Sequence, residues 1–286
     1  MNKYSAHYRG LSWQHSLERL TPRDLLVLDD LERFRLLTTR QIQRLRFPVA
    51  ASAVDGHASQ GAATKATMRT LSRLRDDKVV TPLEVRRGGI RSGSQGLVWQ
   101  LSETGRRIQQ ERTGRGSPHR FMEPGSMFVS HILGVADLAI SVLELERGGR
   151  IEVLSVEAEP ANWRTFLGAH LKTVTVKPDL TLVSAVVGSD FEDHWFIELD
   201  RATEHVSSKV MAKCRTYAAY AATGAEQAER GVFPRVLWVV PDSRRRAAVA
   251  GAIAVERDLP AHYFQVCTTD EFASVIAGQG STDDAA

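Results

Sequence analysis

Cysteine is scarce: Cys214 and Cys267 are the only two in 286 residues. Two are too few for a disulfide framework or a cysteine-built zinc site. Reduced thiols in a cytoplasmic compartment are the simplest expectation. None of the nine histidines stands two residues from another, so no His-x-His metal pair is on offer. No Gly-x-x-x-x-Gly-Lys loop occurs, so no nucleotide cofactor is implied. No apolar run reaches transmembrane length, and residues 1–20 lack the apolar core of a signal peptide. A membrane partner is therefore not expected.

The 43% apolar content suffices for buried cores, and the length accommodates two domains. The net charge of +3 conceals a split. Residues 1–120 hold 22 Lys/Arg against 11 Asp/Glu, a net of +11, and residues 121–286 hold 15 against 23, a net of −8. A basic half joined to an acidic half points to a polyanion-binding module attached to something else. A G+C-rich genome would enrich arginine in both halves and does not explain the difference.

Residues 1–20 carry Tyr4, Tyr8 and Trp13 without a period and read as an arm or as a disordered segment. Thr21-Pro22-Arg23-Asp24 is a helix start: N-cap, proline at the first helical position, acid in the first turn. Leu25, Leu28, Leu31 and Phe34 recur at helical spacing. Leu37-Thr38-Thr39 ends that helix and caps the next, whose inner face is Ile42 and Leu45, with Arg40, Arg44 and Arg46 outward. A polar, alanine-rich stretch follows from Pro48 to Gly61. The spacing predicts a third helix over about 64–77, with Met68, Leu71 and Leu74 inside and Lys65, Arg69 and Arg73 on the opposite side. Strands at 79–85 and 96–101 flank Arg86-Arg87-Gly88-Gly89-Ile90-Arg91, a basic hairpin tip, and Ser102 to Gly105 starts another helix. This order over residues 21–111 resembles a winged helix-turn-helix. The resemblance implies double-stranded DNA as partner. Arg40, Arg44, Lys65, Arg69 and Arg73 would lie on the helices, and Arg86, Arg87 and Arg91 on the wing against phosphates. The long link between the second and third helices departs from the pattern.

Residues 112–125 form a Gly/Pro/Arg linker. Beyond it the pattern predicts a helix over 128–145, strands at 151–158, 174–185 and 195–200, a helix over 204–222 capped by Thr203, a buried strand at 236–240, a helix over 243–256 and a last strand at 263–267. The residues from 276 to 286 read as a tail. Asp179 opens the second of these strands. Glu198 and Asp200, two apart on the third, leave the same face, and Trp195, Ile197 and Leu199 leave the other.

Pro178-Asp179 followed by Glu198-x-Asp200, in this element order, resembles the PD-(D/E)xK restriction-endonuclease-like core, αβββαβ, over residues 126–275. The expected class is therefore α+β or α/β, with a winged helix-turn-helix in front. The longer string, Lys177-Pro178-Asp179 with Glu198-Leu199-Asp200-Arg201-Ala202-Thr203-Glu204 and then lysine and tyrosine on a helix, resembles the replication-relaxation family of bacterial plasmids and mobile elements. That resemblance implies a role in replication initiation, or in nicking and relaxing origin DNA. The histidine-triad site of the usual rolling-circle relaxases has no counterpart.

The nuclease resemblance implies Mg²⁺ held by hard oxygens, with Asp179, Glu198 and Asp200 as ligands and Glu157 or Glu159 as a further donor. Asp200 stands where the pattern wants lysine. A lysine from the following helix is the substitute. Lys213 falls about 20° from Val206 on the helical wheel, in the stripe of Val210 and Tyr217, and Lys209 about 60° away is the second choice. Lys213 serves either catalysis or a structural ion pair with Glu198 or Asp200. Arg201 is either a phosphate contact or a surface ion pair. Tyr217 and Tyr220 at helical spacing read as core, and His131 as a capping or core residue. Two functions stay open: a metal-dependent nickase, or a non-catalytic origin-binding or transcriptional regulator with a degenerate nuclease core. The oligomeric state is open too, a dimer included.

Overall fold

The computed structural model describes residues 13–49, 56–83, 97–114, 125–168, 171–203 and 205–279. The chain divides into two compact units, residues 1–140 and 141–286. Most of the expected arm, Arg86, Arg87 and Arg91 of the expected wing, most of the linker, Glu204 and most of the tail lie outside the described residues.

In the first unit, a helix over residues 13–18 (α1) precedes α2 (Pro22–Phe34). Helix α2 starts where its signal stands, in a capping box. The Thr21 side chain accepts from Asp24 N, and the Asp24 carboxylate accepts from Thr21 N at 2.7 Å. Strand β1 (Leu37–Thr38) leads straight into α3 (Thr39–Arg46), capped by a second box between Thr38 and Gln41. Next come α4 (Gln60–Asp76), β2 (Val80–Pro82), β3 (Val98–Leu101) and α5 (Glu103–Thr113). The strands form an antiparallel sheet in the order β1-β3-β2.

Helix α4 begins a turn earlier than the apolar spacing predicts, because Ser59 caps it by accepting from Ala62 N. Its inner stripe is Ala63, Thr67, Leu71 and Leu74, and Met68, expected inside, is 47% exposed. Small residues face inward where α4 meets α3, and a count of large apolar side chains does not register them. Gly105 at the start of α5 is required by close approach: a Cβ there would stand 2.2 Å from the Val79 carbonyl oxygen.

Helix α6 (Ser126–Arg147) is long and apolar enough, by length and composition, to cross a membrane. This corrects the expectation that no stretch reaches that length. Its Val129, Leu133, Ala136, Ala139, Ile140 and Val142 are buried in the protein. Within the first unit, Val129 and Leu133 pack with Leu36, Leu83 and Val98, and Gln41 Nε2 donates to the Leu133 carbonyl at 2.7 Å.

The second unit is built on a mixed five-stranded sheet in the order β10-β9-β8-β7-β4. Strands β4 (Ile151–Ala158), β7 (Leu180–Val186) and β8 (Glu192–Leu199) are antiparallel neighbours; β9 (Arg235–Val240) and β10 (Phe264–Thr268) continue parallel to β8. The expected strand over 174–185 is two. Its first part is β6 (Thr173–Val176), which pairs with β5 (Arg164–Leu167) as a separate hairpin; β7 starts only after Lys177-Pro178-Asp179. Proline cannot donate to a ladder, and the break falls there.

Helices α7 (Met211–Ala222) and α9 (Ser243–Val255) bear the core of this unit with β8 and β9, through Phe196, Val210, Cys214, Tyr217, Trp238 and Val249. Short helices α8 (Ala225–Arg230) and α10 (Phe272–Ile276) complete it. A single π turn, Val206–Val210, opens α7 with His205 at its cap, so Thr203 is not the cap expected for it. The reason lies upstream. The Asp200 carboxylate accepts from Ala202 N at 2.8 Å, Ala202 takes a positive φ of 55°, and the helix starts later.

Candidate functional site

Asp179 and Glu198 come together where the start of β7 lies beside the end of β8. Asp179 precedes β7, and its backbone extends the ladder, Asp179 N donating to the Ile197 carbonyl at 3.1 Å. Its side chain turns back across the pair: Oδ2 accepts from Leu199 N at 2.8 Å. The preceding peptide is pinned as well, since the buried Asn162 donates to the Pro178 carbonyl at 2.9 Å. Strand alternation puts Glu198 beside Phe196 on the face covered by α7, and its side chain is only 1% exposed.

Two side chains of α7 meet Glu198. The Lys213 ammonium pairs with Oε2, and the Tyr217 hydroxyl donates to Oε1. They stand four residues apart, one turn of the same stripe. Burial pushes the Glu198 carboxyl up to about 8; Lys213 pulls against this and Asp179 adds to it. Burial alone would lower Lys213, yet Glu198 and Asp179, with Glu159 behind them, hold its ammonium above the ordinary range. Burial, followed by the Glu198 charge, pushes the Tyr217 phenol well up. The ammonium of Lys213 is thus held in its charged form, while burial works against the charge of Glu198.

Asp200 is turned elsewhere. Arg245 on α9 pairs with its Oδ2, and Oδ1 accepts from Ala202 N. Of the two lysines weighed in the sequence, Lys213 reaches the carboxylates, and Lys209 lies exposed on the π turn. Arg201 is exposed, and Tyr217 and Tyr220 are buried in the core as expected. His131 is half-buried on α6. Among the described residues, no three His, Cys, Asp or Glu side chains are grouped so as to share one ion. An open cleft of about 340 Å³ lies beside the cluster, lined by Glu159, Thr175, Val176, Lys177, Lys213, Thr216 and Tyr217.

In the first unit, Arg40, Lys65 and Arg69 are exposed. Arg44 pairs with Asp137 at 3.0 Å, and Arg73 with the buried Asp24 at 2.6 Å. Arg46, also expected outward, holds the buried Asp30 at 2.6 Å; burial keeps that carboxyl raised against the pull of Arg46.

Sequence reading did not find Arg245, Asn162, or Tyr217 as a partner of Glu198. Arg245 had a signal. Arg244, Arg245 and Arg246 follow the Asp242 N-cap, and cations in a helix's first turn oppose its dipole. Such a run asks for carboxylate partners, and Arg245 and Arg246 have them in Asp200 and Glu271.

The fold and the site together define a two-unit, mixed α/β protein whose second unit encloses a lysine-paired acidic cluster at the ends of its central strands. The family model described as Replication-relaxation matches residues 28–236, across both units, and the chain belongs to that family. No curated protein and no solved structure matches it.

Proposed function

We propose that the protein binds duplex DNA with its first unit and nicks or relaxes the replication DNA of a plasmid or other mobile element with its second. The order α2-β1-α3-α4-β2-β3-α5, closed by a three-stranded antiparallel sheet, supports a winged helix-turn-helix. Arg40, Lys65 and Arg69 are exposed on its helices. Over residues 126–240, α6, which begins in the first unit, and then β4, β7, β8, α7 and β9 follow the αβββαβ order of a PD-(D/E)xK core, with the β5–β6 hairpin as an insertion.

The observation that carries the catalytic reading is the Lys213–Glu198 pair beside Asp179. A helix-borne lysine stands in for the missing in-strand one. Lys213 would hold its positive charge against a phosphate oxygen that gains negative charge, with Tyr217 orienting the Glu198 carboxylate. Asp179 and Glu198 are the pair that would hold Mg²⁺. One or two carboxylates plus substrate phosphate is the set this ion ordinarily takes. Bound there, Mg²⁺ would supply an activated water.

The test is Mg²⁺-dependent nicking of supercoiled plasmid carrying the protein's own origin. Asp179→Asn and Glu198→Gln should abolish it with DNA binding kept. Wild-type protein that nicks nothing under these conditions would leave the second reading, a non-catalytic origin-binding regulator. That reading is favoured by a specific observation: both Glu198 oxygens, and Asp200, already have partners within the protein.

A further inference from the structure

At the base of the β5–β6 hairpin, Trp163 meets Glu159 and Lys177, two residues that line the cleft. Trp163, just before β5, is 38% exposed. Its indole N–H donates to Glu159 at 3.3 Å, and the Lys177 ammonium stands 4.1 Å from its ring centroid. Glu159 and Lys177 both line the cleft that also holds Lys213. Lys177 is exposed, and among the described residues it pairs with no carboxylate.

The platform is firmly mounted. Arg164, next to Trp163, pairs with Glu226, which is fully buried and also accepts from the Tyr220 hydroxyl. On the other side Asn162 is tied to the Pro178 carbonyl. A partly exposed indole between two anchored neighbours is costly to leave in water, and it can present the ring face that the Lys177 ammonium does not cover. A cation beside an aromatic ring, at the entrance to a cleft with a second ammonium inside, is the chemistry that grips an unpaired nucleotide. The base stacks on the ring and the phosphate meets the cations. Duplex DNA keeps its base faces stacked on one another and offers none to Trp163.

We infer that the Trp163–Lys177 platform binds an unpaired DNA strand, stacking a base on Trp163 and placing the adjoining phosphate on Lys177 at the cleft. This deepens the reading above, since it names the form of DNA that enters the second unit, and it rests on that reading for DNA as substrate. It does not rest on catalysis.

The experiment uses the full chain and two fluorescent probes, a dT oligonucleotide and a duplex of equal length, with anisotropy as readout. Trp163→Ala should weaken the single strand by about fivefold or more and leave duplex affinity unchanged. Trp163→Phe should recover most of the loss, because a ring remains. Lys177→Gln should weaken the single strand and lower its salt dependence. Melting temperatures near wild type for Trp163→Phe and Lys177→Gln keep the comparison valid if Trp163→Ala folds poorly. Single-strand affinity unchanged in Trp163→Ala or in Lys177→Gln, or an equal loss for both probes, would overturn the inference. Wild-type protein that nicks no DNA yet binds single strands through Trp163 sinks the catalytic reading alone. Nicking with Trp163-independent binding sinks this one alone.

Discussion

Lys213 and Glu198 form an ion pair between a helix and a strand, 15 residues apart in the chain, in which the carboxylate is buried and the ammonium is about one-third exposed. The asymmetry sets what each substitution does. Removing the lysine strands a carboxylate in the interior. Removing the carboxylate leaves an ammonium that still touches solvent.

Lys213→Met should therefore cost stability. Breaking a buried pair costs about 3–5 kcal/mol. Solvent at Lys213 and protonation of Glu198 should reduce that to about 1–3 kcal/mol. Adding Glu198→Gln should restore most of the loss, since no charge is then unpaired. Urea unfolding of the two single variants and the double variant reads the coupling. Strict additivity would show that the pair contributes nothing.

Stability should fall as pH rises from about 4.5 toward 8. The Glu198 carboxyl titrates near 8 in the folded protein against an ordinary value of 4.5, because burial disfavours its charge. The folded state therefore holds a proton that the unfolded state has released. The stabilisation is complete below the unfolded value and lost as pH passes through the folded one, at no more than about 1.4 kcal/mol per pH unit. Subtracting the Glu198→Gln profile from wild type isolates this contribution, and Asp179→Asn should move its midpoint down. Parallel profiles for wild type and Glu198→Gln would contradict it.

Cations of the first unit should divide into two kinds. Neutralising exposed Lys65 or Arg69 should each lower the slope of log K against log salt for duplex DNA by about 0.9 and leave stability alone. Arg73→Ala should do the reverse, keeping the slope and costing about 2–3 kcal/mol, because the Asp24 carboxylate it holds is 1% exposed. A slope change in Arg73→Ala without destabilisation would place that arginine on DNA.

Asp200 should prove structural. Asp200→Asn weakens the contact to Arg245 and should lower the melting temperature, while Mg²⁺-dependent nicking, where wild type shows it, survives. Nicking lost along with normal thermal stability would return Asp200 to the metal-binding set.

What the sequence determined by itself was local. Thr21 and Asp24 begin α2 because a cap and a proline act within one turn. The apolar run Val236 to Val240 is an interior strand, buried on both faces. Strand alternation put Glu198 and Asp200 on one face, and the helical wheel put Lys213 on the stripe that packs on the sheet; Asp179 joined them only through the nuclease resemblance, and family membership was legible in the motif that joins them. Tertiary structure alone decided which charges are available. Lys65 and Arg73 carry the same signal on one helix, yet the second meets a buried Asp24 from a helix about 50 residues earlier. Asp200 shares a face with Glu198, yet meets an arginine 45 residues later in the chain. Periodicity fixes the direction in which a side chain leaves its own element. What stands opposite depends on packing between elements distant in sequence, and in a low-dielectric interior that partner decides whether a charge holds the fold or faces a ligand.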